Sequence, residues 1–181
     1  LKYYIIIFTI SLASCKKEIF DSANNLGGCT DLNAINYSDS VDFEDNSCQY
    51  AYISQYEVSY YPEINLGSIL NSWDIPGTGA DADLLLKVKY KDSTNYLFSS
   101  PILDDQSPNS AAYWTAPVEF KLLNTSYQWE LYDYDATNSN DFIDSGSFNP
   151  IEIASNFKIT IYGKNPPVNS TQLVLHYQLS N

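Results

Sequence analysis

The sequence predicts an all-β protein, built as an antiparallel β-sandwich of about eight strands. Three observations predict it. From Tyr50 onward, apolar and polar residues alternate with period two in one segment after another. Clusters of Gly, Pro, Asn, Asp and Ser separate those segments, at 75–81, 104–110, 135–141 and 163–170. No long stretch carries helical spacing, and only 151–156, IEIASN, reads as one short turn.

The strands follow in order. Tyr50, Tyr52, Tyr56, Val58 and Tyr60 share one parity and predict a first strand with that face inward. Leu84, Leu86, Val88 and Tyr90 share a face of the next, with Leu85, Lys87, Lys89 and Lys91 opposite. Shorter strands are expected near Tyr96–Phe98 and Phe142–Phe148. Val118, Phe120 and Leu122 alternate with Glu119 and Lys121. Trp129 and Leu131 alternate with Gln128 and Glu130. Phe157, Ile159 and Ile161 alternate with Lys158 and Thr160, and Leu173, Leu175, Tyr177 and Leu179 with Gln172, Val174, His176 and Gln178. Burial of the apolar faces, at about 25 cal/mol per Å², is the driving term. The roughly 130 residues after Cys48 are enough for one core.

Composition narrows the function. The chain carries 22 Asp and Glu against nine Lys and no Arg, for a net charge of −13. A surface of that sign repels nucleic acid and anionic lipid, which excludes a nucleic-acid partner. Divalent cations, neutral sugars and proteins remain as partners. The 15% aromatic content separates the chain from a disordered acidic tail.

The chain opens LKYYIIIFTISLASC. Lys2 supplies a positive region, and Ile5 to Leu12 is an apolar run too short to span a bilayer, which takes about 20 residues. It fits a secretory leader. Leu12-Ala13-Ser14-Cys15 resembles a bacterial lipobox. That resemblance implies a signal peptide over 1–14, lipidation of Cys15, and a lipid-anchored linker over 15–28. Lys16 is not the aspartate associated with inner-membrane retention, so the expected place is the outer membrane of a Gram-negative bacterium, facing the periplasm or the surface. Cys29 and Cys48 are then left as a pair in an oxidising compartment, where a disulfide is expected.

Residues 29–48, CTDLNAINYSDSVDFEDNSC, resemble a short cysteine-closed repeat of secreted proteins of some Gram-negative bacteria. The match rests on Cys29, Thr30, Asp31, Asn33, Ala34, Asn36, Tyr37, Asp45, Ser47 and Cys48. It implies a small spacer module, separate from the sandwich over 50–181.

The acids of the sandwich fall in three stretches. Residues 73–88 read WDIPGTGADADLLLKV, a turn with Asp74, Asp81 and Asp83 running into a strand. Residues 108–120 read PNSAAYWTAPVEF. Residues 129–143 run from a strand into Asp133-x-Asp135, five residues, and Asp141 before Phe-Ile. In that order they resemble the C2 domain, over roughly residues 53–179. The resemblance implies a C2-like sandwich whose loops hold calcium through Asp74, Asp83, Asp133, Asp135 and Asp141, with Asp81 as a sixth candidate. Asp144 stands where that family usually has Gly. Lys87, Lys89 and Lys91 match in position the basic cluster that many C2 domains use on acidic phospholipids.

Physics gives the same acids a reason independent of the family. Carboxylates about 4 Å apart repel by roughly 4 kcal/mol per pair at an effective dielectric of 20. They must protonate, splay apart or take a cation. Calcium prefers six to eight oxygens in a flexible shell. His176 is the single histidine, and the chain lacks a Gly-x-Ser-x-Gly stretch, so neither a hydrolase triad nor a zinc site has its parts. A binding role is expected rather than an enzyme. Trp73 and Trp114, in or beside loops, are candidate contacts for a protein or glycan partner. A carbohydrate-binding sandwich and a structural subunit of an envelope complex are the other expectations.

Overall fold

The computed structural model describes residues 25–64, 72–74, 81–117, 120–153, 157–164 and 170–180. The leader, Cys15 and most of the linker lie outside these residues. So do 75–80 of the first acidic stretch, and Val118 and Glu119.

The chain forms two antiparallel sheets packed face to face. One sheet orders β10 (Lys158–Tyr162), β11 (Gln172–Ser180), β3 (Tyr50–Tyr60) and β7 (Ala112–Thr115). The other orders β5 (Tyr96–Ser99), β4 (Ala82–Tyr90), β8 (Tyr127–Asp133) and β9 (Asp141–Phe148). β6 (Leu103–Gln106) shares the free edge of β4 with β5, pairing with its opening half while β5 takes the closing half. The predicted helical turn is α1 (Pro150–Ile153). The fold class read from the alternation is therefore present, with nine strands in the sandwich among the described residues.

The core fills from the inward parities. Leu84, Leu86 and Val88 of β4, with Trp129 and Leu131 of β8, face Tyr56 and Val58 of β3 and Leu173 and Leu175 of β11; all belong to one buried cluster. Tyr56 stacks on Phe98 across the two sheets, with ring centroids 4.4 Å apart. Gly146 on β9 is required by close approach. A Cβ there would meet Trp129 Nε1 at 2.6 Å and the Tyr162 carbonyl oxygen at 2.8 Å.

Several strands depart from simple alternation. In β3 the buried residues are Ala51 and Ile53, then Tyr56 and Val58, then Tyr61 just past its end. Ser54 and Ser59 are skipped in the pairing with β11, so each is a bulge that switches the face. Tyr50 and Tyr52 therefore belong to the outer side, not to the face of Tyr56. Of the strand expected over 118–122, the described residues 120–122 show one bridge, Tyr52 with Lys121, flanked by the Ile53 N–H donating to the Phe120 carbonyl and the Leu122 N–H to the Ala51 carbonyl. Phe157 does not point inward. It is 59% exposed and takes a positive φ of 61° ahead of β10.

The Cys29–Cys48 disulfide is formed. It closes residues 29–48, within which the two-residue strand β2 (Phe43–Glu44) pairs in parallel with β1 (Gly27–Gly28) at the end of the linker. Acids make most of its turns. Asp31 Oδ1 accepts the Asn33 N–H, Glu44 accepts the N–H groups of Thr30 and Asn46, and Asp45 accepts that of Ser47. Those carboxylates accept backbone N–H groups within the module.

The sandwich has two distinct ends. The module meets the start of β3, and there the Lys91 N–H donates to the Ser126 carbonyl. At the far end of β3, the Tyr61 hydroxyl donates to the Gln106 carbonyl and accepts the Ala82 N–H. That far end carries the acidic loops.

Candidate functional site

Two stretches separated by 50 residues meet at this end. β4 and β8 pair with Leu84 opposite Asp133, and β9 begins with Asp141 opposite Asp133. The Asp83 N–H donates to Asp133 Oδ1 at 2.7 Å, and the Tyr134 N–H donates to the Asp83 carbonyl at 2.7 Å. Each loop thus holds the other's backbone.

The candidate acids have different situations. Asp133 is 1% exposed. Burial pushes its carboxyl up to about 7; the Asp83 N–H pulls it down, and the charges of Asp74, Asp135 and Asp83 push it up again. Asp74 is half-buried, and its carboxyl is raised by burial and then by Asp83, Asp135 and Asp105. Asp135 is raised by burial and then by Asp141 and Asp83, and its N–H reaches Asn140 Oδ1 at 3.3 Å. Asp81 stands at the margin, with its N–H 3.4 Å from Asp105 Oδ1. Its charge helps to raise the Tyr61 hydroxyl, after burial.

The acids share one field without forming one coordination shell. Oxygens on a single calcium, at about 2.4 Å from it, lie within roughly 4.8 Å of one another. Among the described residues no three of these carboxylates meet that distance. The group that does is Cys29, Glu44 and Cys48, whose sulfurs are spent in the disulfide. The all-oxygen donor set suits a hard cation, and closing a shell requires the exposed acids to swing inward.

Asp105 belongs to this end and was missing from the sequence-derived set. Its N–H donates to Asp83 Oδ1 at 2.7 Å, and it takes a positive φ of 51°. The signal available was the Asp104-Asp105 pair shortly before Ser-Pro-Asn. It reads as an ordinary turn until β6 is known to lie beside β4.

Asp144 leaves the site altogether. It is 1% exposed, and its oxygens accept the N–H groups of Ser145 at 2.8 Å, Lys164 at 3.0 Å and Thr171 at 3.0 Å. Asp144 thereby ties β9 to both arms of the β10–β11 hairpin.

The two candidate tryptophans are committed elsewhere. Trp114 is 4% exposed, sits in the core, and donates its indole N–H to the Pro101 carbonyl at 2.8 Å. It offers no face to a sugar or a protein, which corrects that expectation. The ring of Trp73 tilts against Tyr61, and its N–H donates to the Pro62 carbonyl at 2.8 Å. It packs a loop onto the sandwich.

One lysine of this face is ion-paired and a second lies over aromatic rings. Lys89 Nζ lies 2.9 Å from Glu130 Oε1, and Lys87 Nζ sits 5.1 Å and 5.3 Å from the ring centroids of Tyr96 and Tyr132. Glu130, expected to face water, is 7% exposed. It accepts the hydroxyls of Tyr96 and Tyr132 and an amide N–H of Gln128. Burial raises its carboxyl, and the bonds from Lys89, Tyr96 and Tyr132 outweigh that and hold it below the usual range. Glu130→Ala strands two phenols and a lysine together. It is expected to lose about 2–3 kcal/mol, read from urea denaturation.

No family model matches the chain, and no curated protein matches it. Solved structures do. Human GIVD cytosolic phospholipase A2 matches at 11% identity and a TM-score of 0.42, over 74% of this chain and 17% of that one. The calcium-bound tandem C2 domains of extended synaptotagmin 2 match at 13% and 0.37, over 71% and 44%. A C2 domain of plant extended synaptotagmin 1 matches at 9% and 0.37, over 74% and 95%. The chain thus spans about a sixth of the phospholipase chain it resembles. The fold class rests on the two antiparallel sheets described above.

Proposed function

We propose that the chain is a lipid-anchored extracytoplasmic binding module whose acidic end takes up calcium. The ion would set the loop surface that meets a protein, a glycan or an envelope component. The observation that carries the reading is the bond from the Asp83 N–H to Asp133 Oδ1, which supports a shared site for loops distant in sequence. Asp74, Asp83, Asp105, Asp133, Asp135 and Asp141 would supply oxygens, with Asp81 at the edge. The ion supplies positive charge that relieves their repulsion. His176 is paired with Glu57 rather than with any of these acids.

Millimolar calcium is expected to raise the melting temperature of the full chain above that in chelator, by about 5 °C or more. Asp135→Asn with Asp141→Asn should abolish the rise while leaving the melt in chelator as high or higher. Equal midpoints with and without calcium would remove the metal from the reading. The anchor is tested separately: incorporation of labelled fatty acid during expression should be lost in Cys15→Ser.

A further inference from the structure

The disulfide-closed module does not hang from the sandwich as a free stalk. Its Asp31 Oδ2 accepts the Tyr50 hydroxyl at 2.8 Å, at the first residue of β3. Lys121 Nζ lies 3.2 Å from the centroid of the Tyr50 ring. Asn33 Oδ1 accepts the Asn124 N–H at 3.1 Å, and Asn124 Oδ1 in turn accepts an amide N–H of Asn149 at 2.8 Å. Ile35 packs against the main core, and its N–H donates to the Gln49 carbonyl at 2.9 Å. Two kinds of contact, polar and apolar, therefore cross one junction.

These contacts land beside residues 120–122 of the sandwich. Among the described residues, 120–122 are held to β3 by one bridge and the two flanking backbone bonds. Lys121, at that bridge, is also the residue seated over Tyr50. Beside it lies a groove of about 660 Å³ lined by Tyr52, Lys121, Gln178, Leu179 and Ser180.

We propose that the module is a redox-locked keystone: closed, it fixes Tyr50 and Lys121, and so holds the start of β3 and the adjoining groove in place. Opening it is a balanced exchange. A dithiol gives two electrons and two protons to the Cys29–Cys48 bond and becomes a disulfide itself. Two cysteine thiols are left. Asp31, Asn33 and Ile35 then lose the loop closure that positions them, and the bond from Tyr50 goes with them.

The test compares the full chain before and after reduction by dithiothreitol, with the thiols then alkylated. One cooperative transition is expected in the oxidised protein. Reduction should lower its midpoint by about 10 °C. It should also speed exchange of the Ile53 and Leu122 amides at least about tenfold. Tyr50→Phe, which keeps the ring for Lys121 and removes the bond to Asp31, should shrink both effects of reduction. A midpoint and amide exchange that ignore reduction would overturn the proposal. So would two separate transitions of which only the smaller responds.

Discussion

Asp144→Ala is expected to cost about 3–5 kcal/mol, more than truncation of any other carboxylate in the sandwich. The reasoning starts from what the carboxylate holds. Three backbone N–H groups converge on it from β9, from the turn after β10 and from the approach to β11. Bonds to a charged acceptor contribute more than neutral ones, roughly 1.5–3 kcal/mol each, and the donors left behind are themselves largely buried. A second variant reaches the same contact from the other side. A Cβ at Gly163 would lie 1.8 Å from Asp144 Oδ2, so Gly163→Ala must displace the carboxylate and is expected to cost about 2–4 kcal/mol. Urea denaturation measures both. Losses under about 1 kcal/mol in both variants would mean that this carboxylate does not hold the hairpin.

Asp133 should give the protein an inverted acid response. Its carboxyl is pushed up to about 7 from the ordinary 3.8 of an exposed aspartate. Between those two values the folded state holds more protons than the unfolded state. Stability therefore falls as pH rises through the window and recovers on acidification. At about 1.4 kcal/mol per unit, the whole shift corresponds to roughly 4 kcal/mol as an upper bound. Melts at about pH 5 and pH 8 in chelator should show the higher midpoint at the lower pH. Asp74 and Asp135, both raised, act in the same direction. Glu130, Glu44 and Asp31, held low, lose their contribution only below the ordinary carboxylate values, so they do not enter a comparison of about pH 5 with pH 8. Asp133→Asn should be more stable than the parent at the higher pH and should lose most of the pH difference. Calcium should reverse the trend in the parent, because the ion takes the place of the proton. A parent that melts higher at the alkaline end in chelator would show that Asp133 is ionised without penalty.

Much of this was legible because period-two alternation depends only on local chain geometry. β4, β8 and β11 put their apolar parity inward as read. What escaped depended on the partner strand. The bulges at Ser54 and Ser59 exist only relative to β11, and nothing in YAYISQYEVSY marks which residue is skipped. β6 escaped because Asp104 and Asp105 look like turn residues unless the edge of β4 is known to be open. The acids were legible as a group and not as individuals. Asp133, Asp135, Asp141 and Asp144 look alike in sequence. In space, Asp133 and Asp144 are buried acceptors of backbone N–H groups, while Asp135 and Asp141 lie towards water. Trp114 was misread because AYWT sits between turn clusters, and a four-residue strand is too short to show its parity.

β3 joins the two ends of the molecule in a single span. Its 11 residues reach about 35 Å at the rise of an extended chain. The disulfide sits at its foot and the carboxylates at its tip. The tip therefore stands roughly three to four nanometres from the foot. The carboxylates and the disulfide are too far apart to touch the same small molecule.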